Sequence, residues 1–392
     1  MLVFNPSSSN CEPINKCALN LFYIWVLVSS LYYISFLFSG EVSAAADANL
    51  WHKAFKYIFL ASFTFIILVT ARRYLLAWSM VLFLTLFAGL CLLDREMLYR
   101  IDLLLVLLSM FGLLMLLNCL NEHQVGRLVQ VIIFSAVLVS FFSFIEIYFL
   151  RDVYSDYWRA TGGVRSISSL YNPNNMGLYQ SAALILLISS DFRTRPKLIL
   201  ACLIVFGLAM SGSRTAWVSL FAVLCFFYLF NSRKLRLTRF LLFCLVGLFF
   251  VFLLLAANYF QYLSVPSRLS NYESAFIRFE RYYDFFVGFD SSYFFPDWES
   301  ARAGFVSESG YFTLINYFGL LPLSVLLVLF VFFFKPNVNS RDVLGWKLVF
   351  VFYLIAALFE NVLNSFPNNQ LAFMSAGAFF IPRKEFSSRV AT

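Results

Sequence analysis

The chain has 392 residues, of which 61% are hydrophobic, 20% aromatic and only 13% charged. A soluble domain carries about 25% charged residues, and one aqueous core cannot hide this much apolar surface. The composition therefore excludes a soluble enzyme, a nucleic-acid reader and a disordered tail. The net charge of +8 and mean hydropathy of +0.80 instead fit a polytopic membrane protein with its Lys and Arg biased to the cytoplasmic side.

A spanning helix needs about 20 mostly apolar residues. In chain order, runs at 19–38, 54–70, 74–93, 101–117, 128–150, 176–190, 198–210, 216–230, 240–260, 311–334 and 348–363 have this character. A shorter run at 371–381 spans only by borrowing its neighbours. Counting it gives an all-α fold of about twelve transmembrane helices in a single polytopic domain, 1–392. The first run lacks a small-residue cleavage site and reads as a span, not a signal peptide. The seven cysteines are scattered and form no CxxC or Cys/His cluster, so the sequence predicts neither disulfides nor a metal site.

Orientation follows from Lys and Arg in the connections. With the N-terminus inside, Arg72, Arg73, Arg193, Arg195, Lys197, Arg233, Lys234, Lys335, Lys347, Arg383 and Lys384 fall on the inner side. Both termini are then cytoplasmic. Two substantial loops lie outside, at 151–174 and 261–310. The second is rich in Tyr, Phe and Trp, which argues against disorder.

The outer basic residues are selective. Beyond the second span they are Arg95, Arg100, Arg151, Arg159, Arg165, Arg214, Arg268, Arg278, Arg281 and Arg302, with no Lys. The guanidinium presents a planar fork suited to phosphate or carboxylate, which a lysine does not. Salt bridges to loop acids such as Asp152, Asp156, Glu273 and Glu280 are the alternative use. Arg214 lies in Ser211-Gly212-Ser213-Arg214-Thr215-Ala216, a break between two apolar runs. A cation and free backbone N–H groups at the start of a span make a phosphate cradle; a snorkelling arginine in an interhelical turn is the simpler reading. In the long loop, Phe276, Phe279, Tyr283 and Phe286 share one helical stripe, opposite Arg278 and Arg281. Glu146 and Glu360 lie in or beside spans, near their outer ends, where a partner arginine suits them better than a relay through the bilayer.

These residues together resemble the bacterial O-antigen ligase/polymerase superfamily. Ser211–Ala216 is similar to its Ser-Arg-Thr signature. Arg165 followed by Asn172-Pro173-Asn174-Asn175-Met176-Gly177 resembles its Asn-Pro-Asn segment. Glu308-Ser309-Gly310-Tyr311-Phe312 resembles the block closing its large periplasmic loop. Ligases of the superfamily carry a His at the start of that block. Here Glu308 stands there, and the only two histidines, His52 and His123, are far away in sequence, so the resemblance favours the polymerase branch.

The resemblance implies a GT-C-like fold in the Gram-negative inner membrane. It implies substrates of oligosaccharide repeat units on undecaprenyl pyrophosphate, with a flippase and a chain-length regulator as functional partners and no metal or other cofactor. Under it, Arg214, Arg278 and Arg281 stabilise the leaving pyrophosphate and Glu308 is the base for the acceptor hydroxyl. Arg165, Arg268, Asn172, Asn174 and Tyr311 are substrate contacts. Asn172 and Asn174 serve equally well as caps of the following helix. A ligase of the same superfamily and a flippase or transporter of lipid-linked glycans are the rival functions; the second would call for charges in the middle of several spans.

Overall fold

The computed structural model describes residues 16–39, 50–70, 112–113, 116–117, 119–160, 163–231, 311, 341–360, 362 and 365–378. Every regular element among them is helical. They are α1 (Lys16–Ser29), α2 (Ile34–Ser39), α3 (Leu50–Thr70), α4 (Glu122–Phe149), α5 (Arg151–Ala160), α6 (Pro173–Ser189), α7 (Thr194–Ser211), α8 (Arg214–Asn231), α9 (Arg341–Ala356) and α10 (Asn368–Gly377), with a 3-10 turn at Ser168–Leu170. The runs expected at 74–93 and 240–260, nearly all of 101–117 and 311–334, and the loop at 261–310 lie outside the described residues.

Two helices among these residues are long and apolar enough to cross a membrane, His123–Phe149 within α4 and Thr194–Ser211, which is α7. The start of α4 is fixed by a reciprocal capping box. Asn121 Oδ1 accepts from the Gln124 amide and Gln124 Oε1 accepts from the Asn121 amide, both at 2.9 Å. The 28 residues of α4 cover about 42 Å at 1.5 Å per residue, more than the roughly 30 Å hydrocarbon thickness.

Helix α6 is the hub. It packs against α4, α7, α8, α9 and α10. From Met176 to Leu187 it is buried on every side, the behaviour of a helix without a polar face. Polarity is sorted inside out around it. Ser135, Ser140, Gln180, Ser181 and Ser219 are buried, whereas Phe134, Phe141, Tyr148 and Phe149 of α4 and Leu198 and Ile199 of α7 are exposed, Phe149 at 74%. Gln180 donates to the Ala136 carbonyl and to Ser140 Oγ, and Tyr179 pairs with Ser135. Polar cross-links inside and apolar side chains outside suit a hydrocarbon surround.

Three sequence expectations change in detail. The run at 19–38 is not one helix: it breaks at 30–33 between α1 and α2. Ser29 Oγ and Ser30 Oγ donate back to the Val26 and Leu27 carbonyls at 2.7 Å, a back-bonding that bends helices. The segment 151–174 is not simply a loop. It contains α5, which buries Tyr154 and Trp158 and exposes Arg151, Asp152, Asp156 and Arg159. The run at 348–363 is shifted: α9 starts earlier, at Arg341, and ends at Ala356, because a helix can extend into polar residues that a hydropathy reading leaves out.

Close approach at the hub is set by Gly177. A Cβ there would lie 2.5 Å from Ser213 Cβ and 2.8 Å from Ser211 Oγ. Gly177→Val is expected to lower stability by about 1–3 kcal/mol through overpacking, whereas Gly163→Ala, with no atom within 4 Å, should be neutral. Thermal unfolding in detergent checks the pair.

Candidate functional site

The break between α7 and α8 is built by its small residues. Gly212 has φ +57°, a left-handed conformation that costs other residues about 1–2 kcal/mol. Its amide donates to the Ala209 carbonyl at 3.1 Å and ends α7. Ser211 Oγ accepts from the Ser213 amide at 3.2 Å, and Ser213 Oγ accepts from the Ala216 amide at 3.4 Å, where an N-cap acts. Arg214 is therefore the first residue of α8, and it is exposed; Thr215 beside it is buried.

The segment before α6 wraps over this break. The Ser166 amide donates to the Met210 carbonyl at 2.9 Å, and the Arg165 carbonyl accepts from Trp158 Nε1 at 3.2 Å. The stem of Arg165 lies over Gly212, whose Cβ, if it had one, would be 3.3 Å from Arg165 Cγ. The buried carboxyl of Glu146 sits beneath the segment. It accepts from Ser166 Oγ at 2.6 Å, the Ile167 amide at 3.0 Å and the Ser168 amide at 2.7 Å.

From there a polar network crosses the bundle end. Arg165 Nη2 donates to Asn174 Oδ1 at 2.9 Å. Asn174 Nδ2 donates to Glu360 Oε1 at 2.9 Å, and Thr215 Oγ1 donates to the same oxygen at 3.2 Å. An asparagine is suited to this bridge because its carbonyl meets the cation and its amino group meets the carboxylate. Asn172 takes the other role: its side chain accepts from the Asn174 amide at 2.7 Å and caps α6, ahead of Pro173 at the first helical position. The two asparagines, equivalent in sequence, are divided by geometry into a cap and a bridge.

A second helix start meets the first. Pro367-Asn368-Asn369 opens α10 as Pro173-Asn174-Asn175 opens α6. Asn368 Nδ2 donates to the Asn175 carbonyl at 2.9 Å, Tyr353 donates to Asn368 Oδ1 at 2.9 Å, and Asn369 Nδ2 donates to Tyr57 at 3.1 Å. The starts of α6, α8 and α10 and the ends of α4, α7 and α9 thus gather at one end of the bundle. The opposite end carries Arg193, Arg195 and Lys197, the last bonded to the Ile188 and Ser190 carbonyls.

Among the residues expected from sequence, Arg165, Asn174 and the Ser211–Ala216 break come together. Tyr311 donates its hydroxyl to the Leu354 carbonyl of α9 at 2.8 Å. Arg159 makes only an exposed contact with Asp156, at 3.5 Å, of the kind worth little. Arg268, Arg278, Arg281 and Glu308 lie outside the described residues. Glu360, read from sequence only as a carboxylate near a span end, belongs to the network. The 365–370 segment was not anticipated; the recurrence of Pro-Asn-Asn was the available signal. Burial raises the pKa of the Tyr157 hydroxyl on α5, while the Arg165 charge lowers it and the Glu146 charge raises it, so α5 lies within the field of the site. Chemically, guanidinium groups, a carboxylate and converging helix starts can receive an anion together with neutral hydroxyls. No family model, no curated protein and no solved structure matches this chain.

Proposed function

We propose that this protein is a glycan polymerase of the bacterial inner membrane, with about twelve spans, both termini cytoplasmic, a GT-C-like helical fold and its active site on the periplasmic face. Its substrates are oligosaccharide repeat units on undecaprenyl pyrophosphate. A flippase supplies them and a chain-length regulator sets how far they grow. The observation that carries the reading is the Arg165–Asn174–Glu360–Thr215 network. It joins two segments, 165–177 and 211–216, that the superfamily resemblance singles out independently.

The reaction needs a cationic receptor for the leaving group. The acceptor sugar hydroxyl forms a bond to the anomeric carbon of the donor. The bond from that carbon to the pyrophosphate oxygen breaks, and the pyrophosphate leaves with the electron pair. Arg214 and Arg165, with Arg278 and Arg281 of the long loop, hold the charge that develops. Glu308 accepts the hydroxyl proton. Arg214 supports this reading in a further way. A cation at a helix N-terminus is disfavoured by the helix dipole, so this side chain stands at the start of α8 against local helix energetics.

Disrupting the gene in its native host and sizing the surface glycan tests the proposal. Loss of long chains, with single repeats still attached to lipid A, is the expected result. An unchanged length distribution would overturn it. Loss of all attached glycan, with polymer accumulating on its lipid carrier, would make the protein a ligase instead.

A further inference from the structure

We propose that Glu146 is the positioning residue for Arg165, acting as a hydrogen-bond acceptor that moulds the segment on which the arginine is carried. The inference rests on the polymerase reading for the role of Arg165, and on geometry alone for the anchoring. Glu146 is 0% exposed, three residues before the end of α4. A carboxyl group in such a place is costly unless its lone pairs are used. Here they are used by one short stretch of backbone. Oε2 receives Ser166 Oγ, the Ile167 amide and the Ser168 amide, and Oε1 receives the Ile167 amide again at 3.2 Å.

That stretch adopts a shape it would not hold alone. Ser168 has φ +49° and Tyr171 φ +62°, each costing of order 1–3 kcal/mol and persisting only where surroundings over-determine the backbone. The surroundings do so. Ser168 Oγ donates to the Val139 carbonyl one helical turn and a half below Glu146, at 2.6 Å, and Ser169 Oγ donates to the Ser30 carbonyl at 2.7 Å. Arg165 immediately precedes the anchored residues, and its own carbonyl is held by Trp158. With its backbone fixed on both sides, its guanidinium is delivered to Asn174 and its stem to the top of Gly212. Glu146 does not itself reach the network around Glu360; it acts through Arg165.

This role needs an acceptor oxygen in the Oε2 position and does not need a charge. Glu146→Gln keeps such an oxygen, and Glu146→Leu removes it. Hydrogen–deuterium exchange on the full chain in detergent should show faster exchange of 163–172 in Glu146→Leu, with α6 and α7 unchanged, and near-normal protection in Glu146→Gln. Ser166→Ala, which removes one donor and no core volume, should raise exchange of the same stretch more mildly; it replaces Glu146→Leu should that variant fail to accumulate. In polymerisation assays on lipid-linked repeat units from the native host, Glu146→Leu should lose about 100-fold in rate, the scale of a misplacement near 1 Å. Glu146→Gln should recover most of that rate. Adding Glu146→Leu to Arg165→Ala should cost nothing further. Unchanged exchange in both Glu146→Leu and Ser166→Ala, or a Glu146→Gln variant as inactive as Glu146→Leu, would overturn the inference, as would additive losses with Arg165→Ala. A wild-type chain that forms no polymer would instead sink the polymerase reading, with the exchange data still deciding the anchoring.

Discussion

Arg214→Ala should abolish glycan chain growth without lowering the amount of protein. Removing one preorganised group that faces developing negative charge costs about 10²–10³ in rate, and growth over many repeats compounds the loss. The residue is exposed at the head of α8, so no core packing is disturbed. Relieving the unfavourable interaction of a cation with the helix dipole is worth about 0.3–1 kcal/mol, so thermal stability in detergent should hold or rise slightly. Arg214→Lys keeps the charge but not the fork and should fall in between. Glycan sizing beside an immunoblot reads both quantities. Normal chain length in Arg214→Ala would remove the proposed pyrophosphate site. Arg281→Ala, on the long loop, carries the same expectation.

Asn174→Leu should be the most damaging single change within the network. It removes the acceptor for Arg165 and one donor to Glu360 while keeping volume. Hydrogen bonds to charged groups are worth about 1.5–3 kcal/mol each, and the network spans α6, α8 and the end of α9. A stability loss of about 3 kcal/mol is expected, with loss of polymerisation because Arg165 is no longer aimed. The neighbouring Asn172 should behave differently. Asn172→Ala should cost about 1 kcal/mol, and Asn172→Asp or Asn172→Ser should restore it, because any short acceptor caps α6. Equal losses across all Asn172 substitutions would show that this side chain does more than cap.

The helices were legible wherever an apolar run alone decides structure. The runs at 54–70, 128–150, 198–210 and 216–230 correspond to α3, α4, α7 and α8. What escaped was decided by hydroxyl groups and by partners distant in sequence. Ser29 and Ser30 are counted as mild interruptions by composition, yet they break the first run by bonding to their own turn. The amphipathic α5 was hidden because its charged face outweighs Tyr154 and Trp158 in any hydropathy average. The Ser211–Ala216 break was readable to the residue, since glycine and serine at a span boundary dictate a turn and a cap. The partners of Glu146 were not, because two of its three donors are backbone amides, which every residue possesses. The separate roles of Asn172 and Asn174 follow from a two-residue offset at a helix start, and Glu360, which decides between them, lies 186 positions away from Asn174.

That separation has a consequence for how the protein is made. A ribosome that has finished α8 has synthesised Glu146, Arg165, Asn174 and Arg214, but neither Glu360 nor the Asn368–Gly377 helix that fastens Asn175 and Tyr57. The Asn369–Tyr57 contact joins residues 312 apart, so the earliest and latest helices meet only once translation is essentially complete. Contacts so distant in sequence form slowly. The nascent chain must therefore shelter its unpaired polar groups through most of its synthesis, and a product truncated before α9 would carry the arginines of the site without the scaffold that aims them.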